Sequence, residues 1–258
     1  VGERRGKGDN MATLARSVLV TGSNRGIGLE LVRQLAASPR PPQHIFATCR
    51  DASGLRGKVS AWGCLPARGA RVRIWDLGSW PLLGVYTVDL PSIRGAMQTV
   101  ETHLEGQGLN LLINNAGVGS QATLQSVCEF LPLLEKAAKD AGTEGLSCSR
   151  AAIINVSSKV GSIGLCLGVL EAPMYPYRAS KAAQNMVTRC LAEELRDKGI
   201  LCAAIHPGWV KTDMGTDCLG LAPMTVERSM QGILEVLGIL SQETCGAFLD
   251  WEGNRLPW

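Results

Sequence analysis

Ser17-Val18-Leu19-Val20-Thr21-Gly22-Ser23-Asn24-Arg25-Gly26-Ile27-Gly28-Leu29-Glu30-Leu31-Val32-Arg33-Gln34-Leu35 decides how this chain folds. The run from Ser17 to Thr21 is short, apolar and rich in β-branched residues, and the run from Leu29 repeats apolar residues at helical spacing. Between them lie three glycines spaced Gly-x-x-x-Gly-x-Gly. The stretch reads strand, glycine turn, helix. Glycines let the backbone turn sharply and come close to a bulky anion, and the helix N-terminus beyond them offers unpaired N–H groups and a partial positive charge. Alone, the pattern also describes an ordinary strand-to-helix loop, and its spacing differs from the more widespread Gly-x-Gly-x-x-Gly.

A second constellation lies far downstream, in Tyr177-Arg178-Ala179-Ser180-Lys181 with the pair Ser157-Ser158 before it. Residues four apart on a helix share a face, so a phenol and an ammonium meet one turn apart. A nearby cation favours the phenolate, and a tyrosine tuned in this way can give a proton to a carbonyl oxygen or take one from an alcohol. By itself the pair would be two residues on a solvated helix face. Joined to the glycine turn, it makes two independent motifs that agree on one fold.

Four further segments occur in the same order as in one known family: Asp89 after an apolar strand, Asn114-Asn115-Ala116-Gly117, Asn155-Val156-Ser157-Ser158, and His206-Pro207-Gly208-Trp209-Val210-Lys211-Thr212-Asp213. With these, residues 16 to 258 resemble the short-chain dehydrogenase/reductase family, and within it the sniffer-like and C-factor-like carbonyl reductases. Phrases of that subfamily are echoed in Pro41-Pro42-Gln43-His44, Ala151-Ala152-Ile153-Ile154-Asn155 and Met174-Tyr175-Pro176-Tyr177. The resemblance implies a Rossmann-type α/β domain, a doubly wound parallel sheet that binds a dinucleotide. It implies catalysis by Ser158, which holds the substrate oxygen, Tyr177, which transfers the proton, and Lys181, which lowers the tyrosine pKa and grips the nicotinamide ribose. The second serine of such a pair is the one the family uses, so Ser157 is set aside. It further implies a cofactor site made from Gly22, Ser23, Asn24, Arg25, Gly26, Ile27 and Gly28, from Asp89 at the adenine, and from Asn115, Ala116 and Gly117. Tyr177, Lys181, Pro207, Gly208, Val210 and Thr212 complete it around the nicotinamide.

The choice of cofactor turns on the second strand, Ile45-Phe46-Ala47-Thr48-Cys49, which ends in Arg50. An acidic residue about 20 positions beyond the glycine turn holds a ribose 2′-hydroxyl, whereas a basic one accepts a 2′-phosphate. Arg50 and Arg25 supply two guanidiniums for that phosphate, so NADP(H) is expected, with Asp51 next door as the one contrary sign. A carbonyl compound, whether aldehyde, ketone or quinone, is the expected small-molecule substrate. Its pocket walls are expected at Gly161 to Pro173 and Thr216 to Pro223, both apolar, so the carbonyl should be hydrophobic. His206 precedes a proline at a strand end and is read as structural rather than as a base.

Composition agrees with one α/β domain. The chain has 258 residues, is 45% hydrophobic and carries a formal charge of +3 spread along its length. No block of basic residues interleaved with aromatics points to nucleic acid, and no stretch approaches the apolar length of a membrane span. Nine cysteines, an odd number without a C-x-x-C pair, fit a reducing compartment better than a disulfide framework or a zinc site. A cytoplasmic protein is expected. Residues 1–15 are read as a disordered polar extension, since Met11 stands where such a domain would begin. Strands are expected near 17–21, 44–49, 84–88, 109–113, 150–156, 200–206 and 245–249, and helices near 26–37, 92–106, 124–141, 177–197 and 225–240. In the helix at 177–197, Ala179, Ala182, Ala183, Met186, Val187, Cys190 and Leu195 are read as the buried stripe, with Tyr177, Lys181 and Thr188 facing a cleft.

Two departures from the family pattern stand out. From Val118 to Ile154 there is no asparagine, although the family carries one there on a helix, completing a proton relay through a bound water. The region 118–141 reads as shortened by about twenty residues, judged by ordinary helix lengths. Pro132 would kink what remains unless it falls in a first turn. A homodimer, the family's usual assembly, depends on helices from this region. Residues 53–83 form the second departure, an irregular insertion rich in Gly, Pro, Trp and Arg. There Arg71-Val72-Arg73-Ile74-Trp75 competes with Gly84-Val85-Tyr86-Thr87-Val88 for the third strand, and the latter is preferred because Asp89 follows it. The alternative to a working reductase is a catalytically impaired nucleotide-binding protein, or a splice or gene-model variant lacking the relay asparagine.

Overall fold

The apolar runs of the sequence become the inner strands of a single parallel sheet. The computed structural model describes residues 13–49, 71–76, 90–116, 120–142, 145–170, 173–212 and 222–258, with the backbone alone for 71–76 and 120–123. Its strands are β1 (Ser17–Thr21), β2 (His44–Cys49), β3 (Arg71–Asp76), β4 (Leu111–Asn114), β5 (Ala152–Val156), β6 (Leu201–His206) and β7 (Phe248–Asp250). They pair in the order β3-β2-β1-β4-β5-β6-β7, every pair parallel. A parallel sheet is covered on both faces, which is why β1, β4, β5 and β6 read as continuous apolar runs instead of alternating ones. Leu19, Phe46, Leu112, Ile153 and Ala203 are fully buried along it.

The helices are α1 (Gly26–Ala37), α2 (Leu90–His103), α3 (Ser120–Asp140), α4 (Tyr175–Leu195) and α5 (Val226–Ile239). α1 packs beside α5, while α2, α3 and α4 pack side by side. The chain steps outward from β1 to β2 and β3, then returns to the other side of β1 as β4. At that reversal the connections leave in opposite directions and open a crevice at the carboxyl ends of the strands. None of the helices among the described residues is long and apolar enough to cross a membrane.

Four expectations need correction. The place beside β2 belongs to Arg71–Asp76, in register from His44 with Arg71 to Cys49 with Asp76, and not to residues 84–88. An alternating Arg-Val-Arg-Ile-Trp-Asp pattern suits an edge strand, which needs no unbroken apolar run. Residues 84–88, like 51–70 and 77–83, lie outside the described residues, so only Arg71–Asp76 of the insertion at 53–83 is described. At the N-terminus, Ala15 is buried and Leu14 packs on the core, so two residues assigned to the polar extension belong to the domain.

The third correction concerns the region between β4 and β5, where a single helix of 21 residues starts four residues before the expected one and runs through Pro132. Pro132 and Cys128, whose carbonyl loses its helical donor to the proline, both face solvent. Water can therefore satisfy that carbonyl. The fourth is α4: Ala179, Ala183 and Cys190 are exposed and Met186 is 65% exposed, whereas Lys181, Gln184, Asn185, Thr188, Leu191, Ala192 and Leu195 are buried. The first half of α4 thus turns a polar face to the sheet.

α3 is pinned at one point by backbone contact. Leu109 N donates to Leu133 O at 2.9 Å, and a Cβ on Gly108 would fall 2.1 Å from Ala137 N and 2.6 Å from Leu133 O. Gly108→Ala should therefore push α3 off the strand and lower Tm by about 5 °C, the scale of an overpacked core position in a domain of this size. A thermal melt checks this. An unchanged Tm would mean that α3 is free to shift.

Candidate active site

The glycine turn is held shut by the end of β4. Thr21, the last residue of β1, accepts at Oγ1 from the backbone N–H of Asn115 and of Ala116, both at 3.1 Å. The Asn115 amide in turn donates to Thr21 O at 3.0 Å and Gly22 O at 3.1 Å. Little room is left: a Cβ on Gly28 would lie 2.3 Å from Gly22 O and 2.5 Å from Asn115 Nδ2. Gly22 itself adopts φ +67°, and a Cβ there would lie 2.9 Å from Ala116 Cα. Side chains are thus excluded by backbone, which is the demand that fixes glycine at these positions. Ser23 ties the turn to the sheet, its N–H donating to Thr48 O and its hydroxyl to Val20 O.

Beyond the turn, α1 begins without a side-chain cap at Arg25 and without an acidic residue in its first turn. Its leading N–H groups are left for an anion. Arg25 is exposed and Asn24 and Ile27 are half-buried on the same rim, while the Thr212 methyl would stand 3.4 Å from a Cβ on Gly26, which adopts φ +53°. The loop after β6 therefore reaches back to the turn after β1. These residues fit the pyrophosphate of a dinucleotide. Arg50, Asp89 and Gly117, the other expected cofactor residues, lie outside the described residues.

Across the crevice, the turn after β5 meets α4. Residues Lys159–Gly161 form one turn of 3-10 helix that starts from Ser158, whose hydroxyl does not cap it. A Cβ on Gly161 would fall 2.6 Å from Lys181 Cβ, so the turn carrying Ser158 lies directly on the helix carrying Tyr177 and Lys181. The two serines part company here. Ser157 is buried with its Oγ donating to Asn185 Oδ1 at 2.5 Å, whereas Ser158 is half-buried at the rim. Tyr177 is likewise half-buried, and the Lys181 ammonium sits 5.9 Å from the centre of its ring.

Lys181 is only 7% exposed, and its Nζ donates to Val156 O at 2.8 Å and Gln184 Oε1 at 2.9 Å. Burial lowers its pKa from 10.5 to about 8. The polar seam continues inward: Thr188 Oγ1 donates to Gln184 O and accepts from Asn155 Nδ2 at 2.8 Å, and Asn114 Nδ2 donates to Asn155 Oδ1 at 3.0 Å. Thr188, expected in the cleft, is sealed in this seam. Gln184 and Asn185 had escaped notice. The signal that marks them is their position three and four residues after Lys181, on its own helix face.

The loop after β6, expected at the nicotinamide, is also built from within. Pro207 O accepts from Ser229 Oγ, Gly208 adopts φ +87° against Met224 and Trp251, and Val210 is buried and bridged to Met224. Val210 thus supports the loop from beneath. His206 is neutral at working pH, its pKa lowered to about 4 chiefly by burial, with Lys159 contributing. Its Nδ1 is buried without a hydrogen-bond partner among the described residues. The chain end clasps the wall beyond Ser158, with Ser162 Oγ donating to Pro257 O at 2.6 Å, Gly164 N to Trp258 O at 2.7 Å, and Trp258 stacked on Phe248. That wall presents Ile163 at 80% and Leu170 at 94% exposure.

A family model described as short chain dehydrogenase matches residues 84–219. The short chain dehydrogenase gsfK of Penicillium aethiopicum is 30% identical over 267 residues, covering 94% of this chain and 99% of its own. The chain belongs to the short-chain dehydrogenase family. Among solved structures, an NADPH-bound carbonyl reductase from chicken fatty liver is 42% identical with a TM-score of 0.82, covering 95% of this chain and 94% of that one. The carbonyl reductase Sniffer of D. melanogaster is 33% identical with a TM-score of 0.80, covering 95% of this chain and 100% of that one. This member is thus an α/β domain of an oxidoreductase family, similar in structure to carbonyl reductases.

The lowered Lys181 pKa has a consequence for stability. The unfolded chain holds this proton more tightly than the folded one, so the charged form is penalised in the fold. The penalty is whole below pH 8 and is relieved as pH rises from about 8 towards 10.5. Urea unfolding of the wild type and Lys181→Met across this range should show the wild type gaining about 3 kcal/mol on the variant, at about 1.4 kcal/mol per pH unit. A constant difference would place the ammonium in contact with water.

Proposed function

We propose that this chain is an NADPH-dependent carbonyl reductase acting on hydrophobic aldehydes, ketones or quinones. The observation that carries the reading is the Lys181 ammonium, buried beside the Tyr177 ring and packed under the turn that carries Ser158. Bound NADPH would supply the hydride for the carbonyl carbon. The Ser158 hydroxyl holds the carbonyl oxygen, and the Tyr177 phenol gives it the proton. The cation at Lys181 favours the phenolate left behind. The preference for NADPH is supported by Arg25 at the uncapped start of α1 and by Arg50 after β2, which suit a 2′-phosphate. The apolar wall of Ile163, Leu167 and Leu170 supports a hydrophobic substrate.

A binding protein without turnover is the competing reading, favoured by one observation: α3 is a single helix whose sequence contains no asparagine. Turnover separates the two. Purified protein should oxidise NADPH in the presence of a hydrophobic aldehyde or quinone, and Tyr177→Phe should lower kcat at least about 100-fold, the scale of a lost general acid. A Tm raised by NADPH without any oxidation would favour the binder, and a rate indifferent to Tyr177→Phe would remove the tyrosine from the mechanism.

A further inference from the structure

Lys181 is held from the inside by a residue outside the Ser–Tyr–Lys trio. Its stem is fixed by Gly161, where no side chain could fit, and its buried Nζ has two oxygen acceptors. One is Val156 O, a backbone group at the end of β5 that no substitution removes. The other is Gln184 Oε1, itself on a side chain only 2% exposed. An amide oxygen has a particular effect here. It stabilises the ammonium by a charge-assisted hydrogen bond, yet it carries no charge of its own and leaves the lysine able to lose its proton. A carboxylate in its place would lock Lys181 as a cation, and an apolar residue would leave it with the carbonyl alone.

The other titratable neighbours do not take over this task. Tyr177 on α4 stands at ring distance, Lys159 sits on the turn packed against Lys181, Cys202 and His206 lie on β6, and Glu135 of α3 is paired with Lys198. Lys159 pairs instead with Asp250 of β7. Burial is the cause that shifts Lys181, with no charged partner contributing. Gln184 sits in a buried polar seam: its backbone carbonyl accepts from Thr188 Oγ1, and Thr188 is tied through Asn155 to Asn114.

We propose that Gln184 is a positioning residue of the reductase site, whose amide oxygen holds the Lys181 ammonium beside Tyr177 and sets the pH at which it loses its proton. The proposal rests on the reductase reading for its catalytic consequence but is tested independently of turnover. Protein labelled with 13C-lysine is titrated by NMR and the Lys181 Cε signal, assigned by its loss in Lys181→Met, is followed in the wild type, Gln184→Met and Gln184→Glu. The midpoint should fall by about one pH unit in Gln184→Met, the worth of a hydrogen bond to a charged group, and rise by at least as much in Gln184→Glu. In the same variants the alkaline limb of kcat for NADPH-driven carbonyl reduction should move with the midpoint, to lower pH in Gln184→Met and to higher pH in Gln184→Glu. A midpoint unmoved in either folded variant overturns the proposal, and if Gln184→Met fails to fold, Gln184→Glu alone decides. Absence of turnover in the wild type, with midpoints that shift as stated, would sink the reductase reading and leave the positioning role standing.

Discussion

A buried ammonium has to be given acceptors, and much of the catalytic half of this molecule is arranged around that need. Lys181 Nζ takes one from the last carbonyl of β5 and one from its own helix, so β5 and α4 must lie at a fixed separation and rotation. Gly161 permits the closeness, since any side chain there would strike the Lys181 stem. Burying a cation costs several kcal/mol unless it is well bonded. The fold accepts a destabilising group at the place where the proposed chemistry would use one, and the lowered pKa of Lys181 reflects that burial.

On the other side of the crevice the constraint is steric rather than electrostatic. Four hydrogen bonds run from Asn115 and Ala116, just beyond β4, to Thr21 and Gly22 at the end of β1, locking the glycine turn to the neighbouring strand. With Gly28 jammed against Gly22 O and Asn115, the turn has a single available shape, and α1 must start where its N–H groups face the crevice. Both halves rest on strand ends one position apart in the sheet, β1–β4 and β4–β5. The Asn114 to Asn155 bond joins them. The site therefore sits at the carboxyl ends of central strands, and its geometry is as rigid as the strand register.

What could be read in the sequence was what the backbone forces. The glycine turn, α1 and β4 through β6 follow from apolar runs and from positions that admit only glycine, and these were legible. β3 was legible only as a candidate: its alternation marked Arg71–Trp75, but the aspartate at 89 drew the choice to residues 84–88. The buried face of α4 was misread. Hydrophobic periodicity ranks residues by their taste for water, and by that measure Ala179, Ala183, Met186 and Cys190 form the core stripe. In the folded chain they face out, and Lys181, Gln184, Asn185 and Thr188 face in. Polar residues can fill a buried face when they satisfy one another, and a pattern of hydropathy cannot register that pairing. In the serine pair the resemblance singled out Ser158, and the structure adds a physical difference between the two: Ser157 is turned inward onto Asn185, while Ser158 is half-buried.

The helix between β4 and β5 brings these threads together. The family pattern leads to an asparagine there, and α3 has none, running without interruption from Ser120 to Asp140 with Pro132 on its outer face. Without that asparagine, the lysine finds its acceptors in β5 and on its own helix, α4. Gln184 stands one turn beyond Lys181, and the seam beyond it reaches β5 and β4 through Thr188, Asn155 and Asn114. A site whose lysine is bonded within its own helix and strand can keep its geometry without a polar contribution from a neighbouring helix. What such bonding cannot provide is a path for protons, because amides hold a hydrogen bond without passing a proton on. Lys181, with its pKa lowered to about 8 and Tyr177 at its side, holds its hydrogen bonds and can also lose a proton near working pH.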